Sequence, residues 1–226
     1  MNKKKIKILC SVDDGAATDL GLGDLLLQYR IPTVFYIPTN VTDLSHKDIR
    51  CLAGRGHCPI VKKTKGLFTV GSHSVNHPHG FGKLSDEVLF KEASESKKEL
   101  ENIIGAPVTR FCYPHGNYSD RAMEIIKKAG YKEARTTEIL SIDFPENPFK
   151  TVTSVQVSPI RSEYGEIKTW VEWGEELFEK VIKEGGRFEI WLHSRDIEKF
   201  HQEEFLNVFL EYMDEQMTAI NYKREI

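Results

Sequence analysis

No stretch of this 226-residue chain is apolar for long enough to cross a bilayer. Neither sign of charge dominates: 31 Lys and Arg stand against 34 Asp and Glu, for a net charge of -3. No basic patch with interleaved aromatics occurs, so nucleic acid is not the expected partner. Internal repeats, low-complexity tracts and clear interdomain linkers are also missing, and one domain over residues 1–226 is the simplest organisation. Cysteines number only four. Cys10 and Cys112 lie in strand-like runs and read as small buried hydrophobes. Cys51 and Cys58 flank LAGRGH, where they could pair or, with His57, bind metal, although the spacing matches no common zinc pattern. The opening MNKKKIKILCSVDDG mimics a secretion signal. Its apolar part, Ile6 to Val12, is broken by Lys7 and followed by two aspartates, so the expected location is cytoplasmic, or the chain is a catalytic domain cut from something longer. Nothing in the chain sets an oligomeric state.

What is present is ordinary globular composition, 40% hydrophobic and 29% charged. Short apolar runs alternate with amphipathic ones. IKILCSV (6–12), TVFYIP (33–38), LFTVGS (67–72) and VTRFCY (108–113) read as strands, rich in β-branched and aromatic residues. YKEARTT, TVTSVQVS and FEIWLHS (188–194) read as three more. Helices are expected over 20–29, 118–129, around 165–183 and around 200–218, with a possible short one between 39 and 65. The best punctuated follows Ser85, a capping residue: Asp86 and Glu87 fill its first turn, Val88, Leu89, Leu100, Ile103 and Ile104 lie near one face, and Gly105 and Pro107 end it. About seven strand–helix alternations imply parallel strands with crossover helices, in a barrel or a doubly wound sheet. In either, chemistry belongs at the strand C-termini.

Four polar clusters fall at that edge: SVDDGA with Asp13 and Asp14, GSHSVNHPHG with His73 and His77, RFCYPHGNYS with Tyr113 and His115, and WLHS with His193. Adjacent carboxylates repel, so a buried Asp-Asp pair implies a cation or a shared proton, although DDG also suits a turn. Histidines at i and i+4 can reach one ion from a single helical turn; here Gly71, Pro78 and Gly80 limit any helix to one turn, and two loop histidines are the alternative. One carboxylate and two imidazoles leave open positions on a divalent ion, which suits a catalytic site better than a structural one. The second carboxylate could then act as base toward water. His193, after an apolar run, is either a satisfied core residue or a cleft residue.

Taken in order, SVDDG, HSVNHP, RFCYPHG and IWLH resemble the motifs of the polysaccharide deacetylase family with its NodB-homology domain, over about residues 6–194. The resemblance implies an α/β fold, a distorted (β/α) barrel with about seven parallel strands. It implies one divalent metal, most often zinc, held by Asp14, His73 and His77. Asp13 would be the general base, His193 the general acid, and the backbone N–H of His115 the oxyanion donor. The implied reaction removes an N- or O-acetyl group from a sugar, oligosaccharide or glycan intermediate, and the implied partner is an N-acetylated carbohydrate.

The match departs from the family in three places. Cys112 stands where an arginine usually holds the base aspartate, leaving Arg110 or Arg161 as candidate partners for Asp13, with Tyr113 beside them on the substrate side. His115 replaces the usual Tyr or Phe. No clear D-x-x-x-W motif is present to tune the acid histidine. His79 is expected to line the cleft or face solvent, and Trp170, Trp173 and Trp191 to stack on sugars or to pack. Two other readings use the same residues: an amidohydrolase acting on a formyl group or cyclic imide, and a non-catalytic carbohydrate-binding relative.

Overall fold

The computed structural model describes residues 4–55 and 66–224. The expectation for Cys58 and His57 lies outside the described residues. Seven strands form one parallel sheet: β1 (Ile6–Asp13), β2 (Thr33–Ile37), β3 (Phe68–Ser72), β4 (Arg110–Cys112), β5 (Glu133–Arg135), β6 (Val155–Gln156) and β7 (Gly186–Leu192). Their order is β5-β4-β3-β2-β1-β7-β6. The sheet curls into a half-barrel, and the chain after β5 joins its two edges. Thr151 N–H donates to Ala134 and Thr136 N–H to Thr151, at 2.9 Å each; three residues on, Ser154 N–H donates to Glu189 of β7, also at 2.9 Å. The barrel is therefore distorted, completed by an irregular segment in place of an eighth strand.

Among the described residues, seven α-helices accompany the strands: α1 (Asp19–Gln28), α2 (His46–Leu52), α3 (Asp86–Ile104), α4 (Asp120–Lys128), α5 (Trp170–Glu184), α6 (Ser194–Lys199) and α7 (Glu203–Ala219). Their starts follow local chemistry. Ser85 Oγ accepts from Val88 N–H to open α3, which ends at Gly105 in the left-handed region (φ 65°). Thr169 and Glu172 form a capping box at α5. Leu89, Leu100, Ile103 and Ile104 of α3 are buried as expected, but Val88 is 42% exposed. At about 100° per residue, Val88 lies outside the stripe that Leu89, Leu100, Ile103 and Ile104 share.

Strand alternation divides the molecule. Ile8, Cys10, Val12, Phe35, Ile37, Phe188, Ile190 and Leu192 are buried on the face that meets the helices and form the main core. The opposite parity points into the barrel, where Leu9, Val34, Tyr36 and Cys112 make a second, small cluster. The buried polar residues Ser11, Asp13, His73, Arg135, Arg187 and Glu189 share that parity. Gly71 is required there: a Cβ on it would lie 2.5 Å from the Tyr36 ring.

Candidate active site

The strand C-termini carry the polar cluster. Asp13 is the last residue of β1 and points inward; it is 2% exposed. Asp14 then adopts φ 77°, turning the chain so that the second carboxylate reaches the rim of the same cavity. Gly15 continues the turn at φ 61°, where a Cβ would strike Thr42 Oγ1 at 2.5 Å. His73 follows β3 with the inward parity of Thr69 and Gly71 and is 2% exposed.

The segment from His73 to His77 is not a helical turn. It is a loop with Ser74 at φ 68° and His77 at φ 50°. Glu92 of α3 builds it: its Oε2 accepts Val75 and Asn76 N–H, both at 2.9 Å, and its Oε1 accepts Asn76 Nδ2 at 2.6 Å. Ser74 Oγ accepts His77 N–H at 3.0 Å. A carboxylate thus replaces the helical hydrogen bonds that Pro78 and the nearby glycines discourage.

Three ligand atoms converge. Asp14 Oδ1 lies 3.6 Å from Nε2 of His73 and 3.6 Å from Nε2 of His77, and the two Nε2 atoms face each other at 2.9 Å. Zinc bonds near 2.1 Å in tetrahedral geometry would set ligand atoms about 3.4 Å apart, so the first two separations already fit and the third must open slightly. His73 Nδ1 donates to the Cys112 carbonyl at 2.8 Å, which leaves Nε2 as the free lone pair. Burial pushes His73 down to about 4 and moves His77 the same way, so both rings are neutral near pH 7, the state a metal requires. A second group, Asp13, His73 and Cys112, is also close enough to share an ion. Its chemistry fits less well. Burial raises the Cys112 thiol well above its usual range, and a guanidinium already occupies the space between Cys112 and Asp13.

That guanidinium is Arg135, at the end of β5. Its Nη2 bonds Asp13 Oδ2 and lies 3.0 Å from Cys112 Sγ, while Nη1 donates to Thr136 O at 2.9 Å. Its plane sits 4.8 Å from the Trp191 ring and 5.4 Å from the Tyr36 ring. Neither expected arginine reaches Asp13. Arg110 pairs with Glu133 lower in the barrel, and Arg161 donates to Thr137 O at 2.9 Å and to Glu163 at 2.6 Å. Arg110 shares Cys112's strand face but lies two residues nearer the N-terminal end, whereas Arg135 is directly opposite Cys112 in the β4–β5 register. Burial alone would raise the Asp13 carboxyl; Arg135, with His73 and His193, outweighs it and holds the group at about 2. Asp13 Oδ1 is buried and has no hydrogen-bond partner.

His193, after β7, places Nε2 3.7 Å from Asp14 Oδ2, the carboxylate oxygen not shared by the other two histidines. Its Nδ1 faces Asp196 Oδ2 at 3.5 Å and Gln156 Nε2 at 3.3 Å. The next residue, Ser194, donates to Asp19 Oδ1 at 2.5 Å, tying this end of β7 to α1. His115 occupies the PHG turn at φ 52°, and its ring stacks on His79 at 3.9 Å and meets His77 at 4.2 Å. Tyr113 lines the cavity, and its buried hydroxyl donates to Phe149 O at 3.0 Å. Trp191 lines the cavity with Thr137 and Arg161, while Trp170 is buried elsewhere. The cavity itself is about 310 Å³.

Asp13, Asp14, His73, His77, His115 and His193 therefore meet in one pocket. Arg135, Glu92, Asp196 and Gln156 were not foreseen. Only Arg135 left a trace in sequence, as a charged residue inside a strand-like run.

A parallel half-barrel with titratable groups at its strand C-termini has the layout of the α/β-barrel class, whose active sites occupy that face. The family model described as polysaccharide deacetylase matches residues 1–134, and the chain belongs to that family. Among solved structures, it resembles a deacetylase from Streptococcus pyogenes in complex with acetate, at 18% identity and TM-score 0.55, covering 65% of this chain and 62% of that one. It resembles a pseudoenzyme of carbohydrate esterase family 4 from Bacillus anthracis at 15% identity and TM-score 0.57, covering 95% and 62%. A family 4 carbohydrate esterase from Streptomyces lividans in complex with acetate matches at 12% identity and TM-score 0.58, covering 96% and 90%. The chain spans less than two thirds of the length of the first two. No curated protein matches. Among the described residues, no helix is long and apolar enough to cross a membrane.

Proposed function

We propose that the chain is a metal-dependent deacetylase that hydrolyses an N-acetyl or O-acetyl group on a sugar, oligosaccharide or glycan intermediate. The convergence of Asp14, His73 and His77 on one point, beside a buried aspartate with one oxygen left unpartnered, carries this reading. A divalent cation, zinc by its nitrogen and oxygen donor set, would supply Lewis acidity toward an acyl carbonyl and its attacking water when bound there.

The chain's own groups divide the remaining work. Asp13, kept ionised by Arg135, takes the proton of the attacking water at Oδ1. The His115 N–H hydrogen-bonds the developing oxyanion. His193, its Nδ1 turned toward Asp196 and Gln156, delivers a proton from Nε2 to the departing amine or alcohol. Trp191 and Arg161 wall the side on which the sugar lies.

Acetate release from N-acetyl-glucosamine oligomers by zinc-loaded protein tests the reading. Asp13→Asn and His193→Ala should each lower kcat at least about a hundredfold while metal content is kept. His77→Ala should lose the metal itself. Formate release or imide opening in place of acetate would move the substrate to the amidohydrolase alternative. Glycan binding without turnover in the metal-loaded protein would favour the binding relative.

A further inference from the structure

A second cavity, about 550 Å³, adjoins the first. Arg161 lines both cavities. Its apolar surface comes from Tyr164, Ile167, Trp170, Val171 and Phe205. Ile167 is 91% exposed and Phe205 56% exposed, which is costly for side chains of this kind unless something covers them.

Most polar side chains of this cleft are already engaged, Arg161 Nε, which is buried without a partner, being an exception. Trp170 Nε1 donates to Gln202 Oε1 at 2.8 Å. The Tyr164 hydroxyl accepts Gln156 N–H at 2.7 Å and donates to Gln156 O at 2.6 Å. Arg161 is held by Thr137 O and Glu163, Lys168 pairs with Glu176, and Glu172 caps α5 through Thr169. Glu166, the remaining charged lining residue, is exposed to water. A sugar presents hydroxyls that need free donors and acceptors, and this cleft has few to offer. A hydrocarbon needs none. The charges also argue against a phosphate anchor, because the two cations here are each paired with a glutamate.

We infer that this cleft binds the hydrocarbon part of the substrate, so that the acetylated sugar carries an apolar aglycone. The inference rests on the deacetylase reading for its orientation. The reacting carbonyl must sit at Asp14, His73 and His77, and the cleft lies beyond Arg161, so only a group remote from the carbonyl reaches it. Because the deacetylase reading gives the acyl group only a methyl, the hydrocarbon is carried by the sugar.

The test is calorimetric binding of methyl and octyl N-acetyl-glucosaminide to the full chain without added metal, with the octyl compound below its micelle concentration. The octyl glycoside should bind at least about tenfold more tightly than the methyl, since burying even a few methylenes suffices. Ile167→Asp and Phe205→Asp should bring that ratio close to one. Ile167 contributes little core packing at its exposure, so its variant isolates the cleft from folding. Equal binding of the two glycosides, or a preference that survives both substitutions, overturns the inference. A preference that follows N-octanoyl-glucosamine in place of the octyl glycoside also overturns it, by putting an acyl chain in the cleft. Acetate release from the methyl glycoside by zinc-loaded protein reports separately on the deacetylase reading, which can fail while the cleft still binds hydrocarbon.

Discussion

Replacing Arg135 with Met removes the one cation that bonds Asp13 and keeps most of the volume between the Trp191 and Tyr36 rings. Both members of the pair are at most 2% exposed. Breaking a buried pair from one side leaves an uncompensated charge and costs about 3–5 kcal/mol. At about 2–4 °C per kcal/mol for a chain of this size, the melting temperature should fall by roughly 6–20 °C. The pH dependence identifies the cause. In the native protein Asp13 is held at about 2 against an ordinary 3.8, so its surroundings as a whole favour the ionised group by roughly 2–3 kcal/mol near neutrality. That contribution is present above about pH 4 and lost as pH falls toward 2. Without Arg135, burial is opposed only by His73 and His193 and raises the carboxyl above its unfolded value. Its stabilising contribution is then present in acid and lost as pH rises. The stability gap between the two proteins should therefore be widest near pH 7 and narrow toward pH 4. Urea unfolding of metal-free protein at pH 7 and pH 4.5 measures it. A gap below about 1 kcal/mol, or one equal at both pH values, would refute the idea that Arg135 neutralises Asp13.

Two further outcomes follow from the scaffold around the ligands. Glu92→Gln turns an amide toward backbone N–H groups that now meet a carboxylate, so the His73–His77 loop should loosen and metal affinity drop about 10–100-fold with all ligands intact. Competition against a chromogenic chelator reads this, and an unchanged affinity would show that the loop holds itself. Gly71→Ala would press a Cβ into the Tyr36 ring at 2.5 Å and toward Arg110 O at 3.2 Å, at a cost of about 1–3 kcal/mol in denaturant melts. No loss would mean that the ring moves freely inside the barrel.

Much of the molecule was legible residue by residue. The apolar runs of β1, β2, β3 and β7 and the caps at Ser85 and Gly105 are local signals, complete within a few positions. The polar clusters after those strands could be assigned to one edge because parallel strands must share it. Asp13, His73 and His193 each continue the inward alternation of their strands in the folded chain. The family motifs carried the same residues. Whether His73–His77 forms a helical turn or a loop stays open in the sequence, because its support, Glu92, lies on α3 and nothing within the loop announces it.

The partner of Asp13 could not be read from the chain. Arg135 is 122 positions away and comes into play only because β4 and β5 pair with Cys112 opposite Arg135. The second, apolar cavity likewise depends on how α5, α7 and the Arg161 loop come together. Residue type and spacing determined the strands, the helix ends and the edge where chemistry collects. Cross-strand register and the curl of the sheet decided which charges neutralise one another, because a buried ion pair is selected by distance in space and leaves no periodic mark along the chain.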